Sequence, residues 1–263
     1  MRSPARIFAL FVGATILGAG ACSNDASPVT GAVTLQAIVD PEPPDCSSLP
    51  DRERALSRGR LDVGLSVRYL ADVVIENHAA LDDEGSAEDI AIATGADVTL
   101  SEGDAQLATF SFSVVAAGSA DPGALGVASF ELVPPSIGGA IYNQIHDDVL
   151  AGRASAKTID ARVVLTGTFA AGGSWRSDEI DFPLDVCLGC SVEFPVDSTD
   201  VTFATPNCLR AGEPTIWPCR PGQEEPTDCR LCQGNPVCSP CAVDADCVRA
   251  GAGQVCGPSG GCL

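Results

Sequence analysis

The residues with the clearest chemical potential are cysteines in C-x-x-C pairs. Thiolates at this spacing can converge on one tetrahedral zinc ion, or act as a redox pair where the first cysteine opens a helix after a strand. In an exported protein, however, such cysteines usually form disulfides. The compartment therefore decides between these chemistries. Three pairs occur: Cys187 with Cys190, Cys229 with Cys232, and Cys238 with Cys241.

The N-terminal residues predict export. Arg2 and Arg6 precede an apolar run from Ile7 to Leu17, and small residues follow. This is the layout of a secretory signal peptide, and the apolar run is too short to span a bilayer. We therefore predict a signal peptide over residues 1–21.

The end of this leader, "AGAC", resembles the lipobox of bacterial lipoproteins, in which the cysteine becomes the lipidated first residue. Ala19 stands where that family prefers Leu. The chain has 13 cysteines, and lipidation of Cys22 leaves an even number for pairing, whereas ordinary cleavage after Ala21 leaves one thiol over. Ser23 takes the place of the aspartate that, in the lipoproteins it resembles, signals inner-membrane retention. The expectation is a lipid at Cys22, a tether over 22–45, and a location at the outer membrane or cell surface.

Export favours disulfides over metal at the remaining cysteines. The sequence does not give their pairing, and neither a metal ion nor a cofactor is expected. A redox role lacks its usual context, because "VCLGCSVEF" lies in strand-like sequence. The cysteines predicted to form disulfides are Cys46, Cys187, Cys190, Cys208, Cys219, Cys229, Cys232, Cys238, Cys241, Cys247, Cys256 and Cys262.

The charge of the chain limits its partners. The formal net charge is −20, and both leader arginines are lost with the signal peptide. Such a surface repels nucleic acid. The expected partners are the membrane, through the N-terminal lipid, and a protein or glycan ligand of unknown identity.

Apolar and polar residues alternate through most of residues 60–186, which lie within a sandwich predicted over residues 46–194. Between Val63 and Ile75 every odd position is apolar, which predicts one long strand or two strands joined by a bend. Similar alternation recurs in "QLATFSFSVV", "VASFEL", "KTIDARVVLTGTF" and "DEIDFPLDV". With "AIATGADVTLS" this gives about seven strands, and turn residues separate them. The pattern predicts a mostly β, antiparallel, Ig-like sandwich.

One segment has helical periodicity instead. After two prolines, Ser136 could cap a helix with apolar residues at Ile137, Ile141, Ile145 and Val149. Tyr142 and Leu150 widen this apolar stripe.

The C-terminal residues 195–263 are rich in Cys, Pro and Gly, and this composition predicts a small disulfide-stapled module.

Two stretches resemble known proteins. The tail "CAVDADCVRAGAGQVCGPSGGC" resembles the small cysteine-rich repeats, related in pattern to the Dickkopf N-terminal module, of myxobacterial surface proteins. The body, with "GRLDVGLSVRYLADVVIEN" and "DEIDFPLDVCLGC", is similar to predicted myxobacterial lipoproteins of unknown function. The resemblance implies a surface location and a sandwich, and it carries no activity.

No catalytic residue is predicted. The two histidines are His78 and His146, and the G-x-S-x-G, H-E-x-x-H and P-loop motifs are absent from the sequence. The expected function is therefore non-catalytic: binding or structural display at the cell envelope. Two alternatives stay open: an exported hydrolase that uses a histidine, and a metal-binding or redox protein that uses the C-x-x-C pairs.

Overall fold

The computed structural model describes residues 28–43, 45–79, 89–102, 109–194, 219–229, 232 and 234–263. The predicted signal peptide and Cys22 lie outside these residues. The strands are β1 (Val29–Thr30), β2 (Val33–Val39), β3 (Gly59–Asp62), β4 (Tyr69–Asn77), β5 (Ala91–Glu102), β6 (Phe110–Ala120), β7 (Leu125–Val133), β8 (Ala156–Phe169), β9 (Ser174–Cys187), β10 (Val192–Glu193) and β11 (Thr227–Asp228). The helices are α1 (Pro135–Leu150) and α2 (Asp244–Ala250).

Strands β1 to β9 form one continuous sheet. Its order is β1-β9-β8-β5-β6-β7-β4-β2, and β3 pairs with β9. Pairing is antiparallel except where β1 and β3 lie parallel to β9. The sheet curls so that β2, at one end of this order, lies beside β9, and the Leu35 amide donates to Asp178 Oδ1 across 3.0 Å. The predicted mostly β, sandwich-like fold is confirmed, with its layers joined in one sheet.

The core lies inside this curled sheet and follows the predicted alternation. In β7, Ala128, Phe130 and Leu132 are buried while Ser129 is exposed. Strands β8 and β9 are 14 residues each and contribute alternate residues in the same way. Burial of large apolar side chains is the main favourable contribution to folding, about 1.5–3 kcal/mol each. Among the largest fully buried side chains are Trp175, Tyr69, Leu61, Leu100, Leu132, Ile141, Ile145, Ile159, Leu165 and Leu184.

Helix α1 covers the sheet at the end of β7. Its 16 residues confirm the predicted helix, and Ile141, Ile145 and Val149 are buried on one face. Two details of the prediction are wrong. The cap position is Pro134 rather than Ser136, because Pro135 fits the first helical position, where no amide donor is needed. Leu150 is exposed because the helix ends there.

The alternating segment that was predicted to form either one long strand or two forms two strands, β3 and β4. Part of its polar face, however, is not in solvent. Asp62 and Asp72 are both buried, at 0% and 4% exposure, because amides of Gly189 and Ser191 bind Asp62 and Arg220 binds Asp72. Period-two alternation identifies the inner face of a strand, but it does not show whether another segment packs on the outer face.

Residues before Cys46 also contribute to the sheet. β1 and β2 lie within 22–45, the range assigned from sequence to a tether, and Val33, Leu35, Ile38 and Val39 of β2 are buried. The strand is part of the fold because it pairs with β4 along its length. Among the described helices, neither has the length and apolar character needed to cross a membrane.

The described residues between 219 and 263, from here on called the tail, pack directly on the β-rich residues up to 194, called the body. β11 pairs with β10, and Val237 and Leu263 belong to the same buried apolar cluster as Leu61 and Leu188. Gly189 has φ of +71°, and a side chain there would meet Leu263, so this turn needs glycine. Body and tail therefore share one continuous core.

Candidate functional site

Disulfides connect the cysteines of the described chain, as predicted. Cys187–Cys190 alone closes within one C-x-x-C pair, whereas Cys229 and Cys241 pair outside their C-x-x-C partners. Cys232 is also disulfide-bonded. Cys22 and Cys208 lie outside the described residues, so lipidation of the first and pairing of the second stay predictions. The disulfides in which both cysteines are described are Cys46–Cys219, Cys187–Cys190, Cys229–Cys238, Cys241–Cys256 and Cys247–Cys262.

Two clusters bring potential metal ligands within 4.8 Å of one another. One contains the sulfur atoms of three tail cysteines, and the other contains an Asp62 carboxylate oxygen with two cysteine sulfurs. All five cysteines are oxidised in disulfides, and the thiolate is the form that binds metal. In this state neither cluster offers a thiolate ligand. The cysteines are Cys241, Cys247 and Cys262, and Cys187 and Cys190.

Among the disulfides between described cysteines, the longest crosslink holds the tail against the body. Cys46–Cys219 joins residues 173 positions apart, with their Cα atoms 5.3 Å apart. Beside it, Arg220 donates to the Leu70 carbonyl at 2.8 Å and to Asp72 Oδ2 at 2.6 Å. The Asp72 side chain is only 5% exposed, so this ion pair is buried. We call this region, with Asp40, Tyr69, Asp72, Arg220 and Glu224, the body–tail junction.

The junction also concentrates acidic groups. The Tyr69 hydroxyl donates to Glu224 Oε1 at 2.5 Å, and the Arg60 amide donates to the same oxygen at 3.1 Å. Burial raises the pKa of Glu224, and these donors oppose the shift. Burial, with the nearby charges of Glu224 and Glu225, raises the pKa of Asp40 to about 6. An acid with this pKa titrates close to neutral pH.

Replacing Asp40 by asparagine should stabilise the protein at pH 8 but not at pH 3.5. In the folded protein the Asp40 carboxyl keeps its proton up to about pH 6, whereas in the unfolded chain it loses the proton near pH 3.8. The free energy of unfolding therefore falls as the pH rises between these two values. The substitution removes that loss. Because the group is partly exposed, we expect a gain of about 1 kcal/mol at pH 8. Urea unfolding of both proteins at the two pH values measures it; an equal effect at both would contradict this.

Asp62 anchors the loop that carries the Cys187–Cys190 disulfide. Its Oδ1 accepts the amides of Gly64 and Gly189 at 2.9 Å, and its Oδ2 accepts the amide of Ser191 at 2.8 Å. Burial raises the pKa of Asp62, and these backbone donors oppose the shift. A carboxylate buried with several donors is satisfied, so the loop is fixed by hydrogen bonds as well as by the disulfide.

A cavity of about 400 Å³ opens beside this disulfide. Arg60, Lys157 and Asp185 line it together with Cys187 and Cys190. Lys157 is the single lysine of the sequence, and its ammonium lies 3.1 Å from Asp148 Oδ2 and 3.6 Å from Glu102 Oε1. The lining of the cavity therefore carries charges of both signs.

A second cavity, of about 360 Å³, lies at the body–tail junction. It is lined by apolar residues of the β3–β4 connection, including Val63, Leu65 and Val67, and by Arg220 and Gln223 of the tail. Gln223 is held in place because its amide donates to the Arg68 carbonyl at 2.8 Å.

The two histidines do not share a site within the described parts of the chain. His78 follows β4 at the end where Glu76 pairs with Leu125, the first residue of β7. His146 lies on α1, which follows the opposite end of β7, and its ring stacks on Tyr142 at 5.7 Å. The hydrolase alternative needs a histidine at a cleft with a nucleophile. Neither cavity described above has a histidine in its lining.

Sequence reasoning missed the residues that build the body–tail junction. Asp72, like Asp62 beside the Cys187–Cys190 loop, occupies a polar position of an alternating pattern, and such positions usually face solvent. Arg220 and Glu224 lie in a region predicted only as disulfide-stapled. A weak signal was present: Arg220 directly follows a cysteine, and the crosslink fixes its position beside the strand.

Comparisons with known proteins give little further guidance. No protein-family model and no curated protein matches the chain. A similar solved structure is AggA, the major subunit of aggregative adherence fimbriae type I from Escherichia coli. It is 8% identical, the match covers 61% of this chain and 98% of that one, and the TM-score is 0.24. A TM-score this low carries no inference about fold or function.

Proposed function

We propose that this protein is a non-catalytic lipoprotein displayed at the cell envelope, where it has a binding or structural role. The observation that carries the proposal is the disulfide network, because such crosslinks form and persist in oxidising compartments outside the cytosol. The leader over residues 1–21 and the "AGAC" sequence support secretion and lipidation of Cys22.

The position of the N-terminal strands supports the same arrangement. β1 begins at Val29 and pairs with β9 at Trp175, at one end of the sheet order. Only a short polar segment, "SNDAS", and Pro28 separate Cys22 from that strand. A lipid on Cys22 would therefore hold the folded body within a few residues of the membrane surface. The partners in this proposal are the membrane, through the lipid, and a protein or glycan ligand; the resemblance to myxobacterial surface proteins is consistent with it.

Metabolic labelling tests the anchor. The full chain, with its own leader, is expressed in a Gram-negative host in the presence of an azide-bearing palmitate. We expect the wild-type protein to carry the label, to partition into detergent and to migrate as an oxidised species without reductant. Cys22→Ala should lose the label, whereas the matched control Cys46→Ala should keep it. Wild-type protein without label, found in the cytosol with reduced thiols, would disprove the proposal.

A further inference from the structure

The Cys187–Cys190 disulfide differs from the others in exposure. Cys190 is the one exposed cysteine among those that the structure describes, whereas Cys187 is 2% exposed. The tail disulfide Cys247–Cys262 has both members fully buried. A thiolate must reach a disulfide sulfur to exchange with it, so accessibility selects the bond that reacts first.

The cavity beside Cys190 gives a small molecule a path to that sulfur. Its volume of about 400 Å³ is within the range of pockets that hold small ligands. Arg60 in the lining can stabilise a thiolate, which is the reactive form. The Lys157 ammonium is already paired with Asp148 and Glu102, and Asp62 lies within 4.8 Å of both sulfurs, so the positive charge available to the thiolate is that of Arg60. Strand pairing fixes this arrangement, because Cys187 lies opposite Asp62 of β3 on one side and Ala156 of β8 on the other.

Hydrogen bonds hold this loop in addition to the disulfide, so we expect it to keep its shape on reduction. Asp62 accepts the amides of Gly189, between the two cysteines, and of Ser191, immediately after them. The Leu188 amide donates to the Ser155 carbonyl at 2.9 Å. Reduction therefore leaves both thiols close together, and the bond can form again. The disulfide joins residues only 3 positions apart, so breaking it adds little conformational freedom to the chain.

We propose that Cys187–Cys190 is a thiol–disulfide exchange site for a small thiol, a chemical role that goes beyond the display function and does not depend on the lipid anchor. The thiolate of the small thiol attacks Cys190 Sγ and forms a mixed disulfide. The bond between the two cysteines breaks, and its electron pair leaves on Cys187 Sγ, which takes a proton from solvent.

The mixed disulfide then has two outcomes. A second thiolate attacks the sulfur of the bound small thiol, releases it as an oxidised dimer and leaves Cys190 as a thiolate, which is protonated. Two thiols are thereby oxidised and one protein disulfide is reduced. Alternatively, Cys187 attacks Cys190, expels the small thiol and restores the original bond.

Partial reduction with glutathione tests the site. The purified full chain is exposed to glutathione for increasing times, alkylated, and mapped by mass spectrometry. We expect Cys187 and Cys190 to be alkylated at least about tenfold faster than the other described cysteines, with glutathione trapped on Cys190 at early times. Reduction of Cys46–Cys219 or Cys229–Cys238 at the same rate would overturn the proposal.

Single substitutions test which sulfur is attacked. Cys187→Ser leaves Cys190 as a thiol at the cavity, and we expect it to form a mixed disulfide with oxidised glutathione. Cys190→Ser leaves the buried Cys187, which should react at least about tenfold more slowly. The other disulfides, mapped in the same samples, report whether each variant is folded. Equal reaction rates in two correctly crosslinked variants would contradict attack at Cys190.

Discussion

Replacing Cys46 and Cys219 together by alanine is expected to lower the free energy of unfolding by about 4–5 kcal/mol. The crosslink closes a loop across 173 residues, so it restricts the unfolded chain more than any shorter bridge. It also holds the tail against β4 of the body. Urea unfolding of the purified, oxidised proteins measures the change.

The matched control is the pair Cys187→Ala and Cys190→Ala. This variant also loses two sulfur atoms, but its loop is short, and we expect a loss of about 2 kcal/mol. The order of the two variants is the decisive result. An equal loss in both, or a smaller loss for the long crosslink, would show that the tail is not held to the body in the way described.

Arg220→Ala is expected to cost about 3–5 kcal/mol, because it leaves the carboxylate of Asp72 buried without its cationic partner. The substitution also removes the donor to the Leu70 carbonyl. Arg220→Lys should recover part of the loss, since an ammonium keeps the charge but lacks the planar fork that reaches both acceptors. The measurement is again the free energy of unfolding in urea.

Two controls separate this effect from a general loss of charge. Arg176 forms an ion pair with Asp97 at 2.8 Å in which both side chains are more than 40% exposed, and Arg176→Ala should cost less than about 1 kcal/mol. The double variant Asp72→Leu with Arg220→Met should recover most of the stability, because no buried charge is left unpaired. A similar loss for Arg176→Ala and Arg220→Ala would argue against a buried junction.

The sequence predicted the parts of the fold that depend on local periodicity. Alternation in β7 and β8 identified the buried positions Phe130, Leu132 and Val163, since a strand has only two faces. The four-residue spacing from Ile137 to Val149 identified α1 in the same way. The predicted leader led to the expectation of disulfides, and the structure contains them.

The rest of the fold depends on contacts between distant segments, and local periodicity carries no information about those contacts. Asp72 was expected in solvent, yet Arg220 and Ser48 both donate to it. Disulfide pairing is equally non-local: Cys241 joins Cys256 and Cys247 joins Cys262, so the two loops interlock. The sequence also predicts a separate cysteine-rich module, whereas Val237 and Leu263 pack into the core of the body.

This shared core changes what reduction should do. A tail that folded alone would melt in reductant and leave the body intact. Because the tail accepts the Asp62 amide at Gly222, pairs with Asp72 through Arg220 and extends the apolar cluster, loss of the crosslinks should destabilise the body as well. Strands β3 and β4 should be affected directly, since the Asp62 amide of β3 donates to the Gly222 carbonyl and Arg220 binds Asp72 of β4.

A disulfide map is the most direct test of the central claim, which is that the chain is exported and oxidised and that Cys46–Cys219 joins its tail to its body. Protein purified from the cell envelope under alkylating conditions is digested without reduction, and crosslinked peptides are identified by mass spectrometry. The structure predicts a Cys46–Cys219 peptide, together with Cys187–Cys190 closed on itself and Cys241 joined to Cys256. Alkylated, reduced cysteines at these positions, or zinc bound in stoichiometric amount by the C-x-x-C pairs, would contradict it.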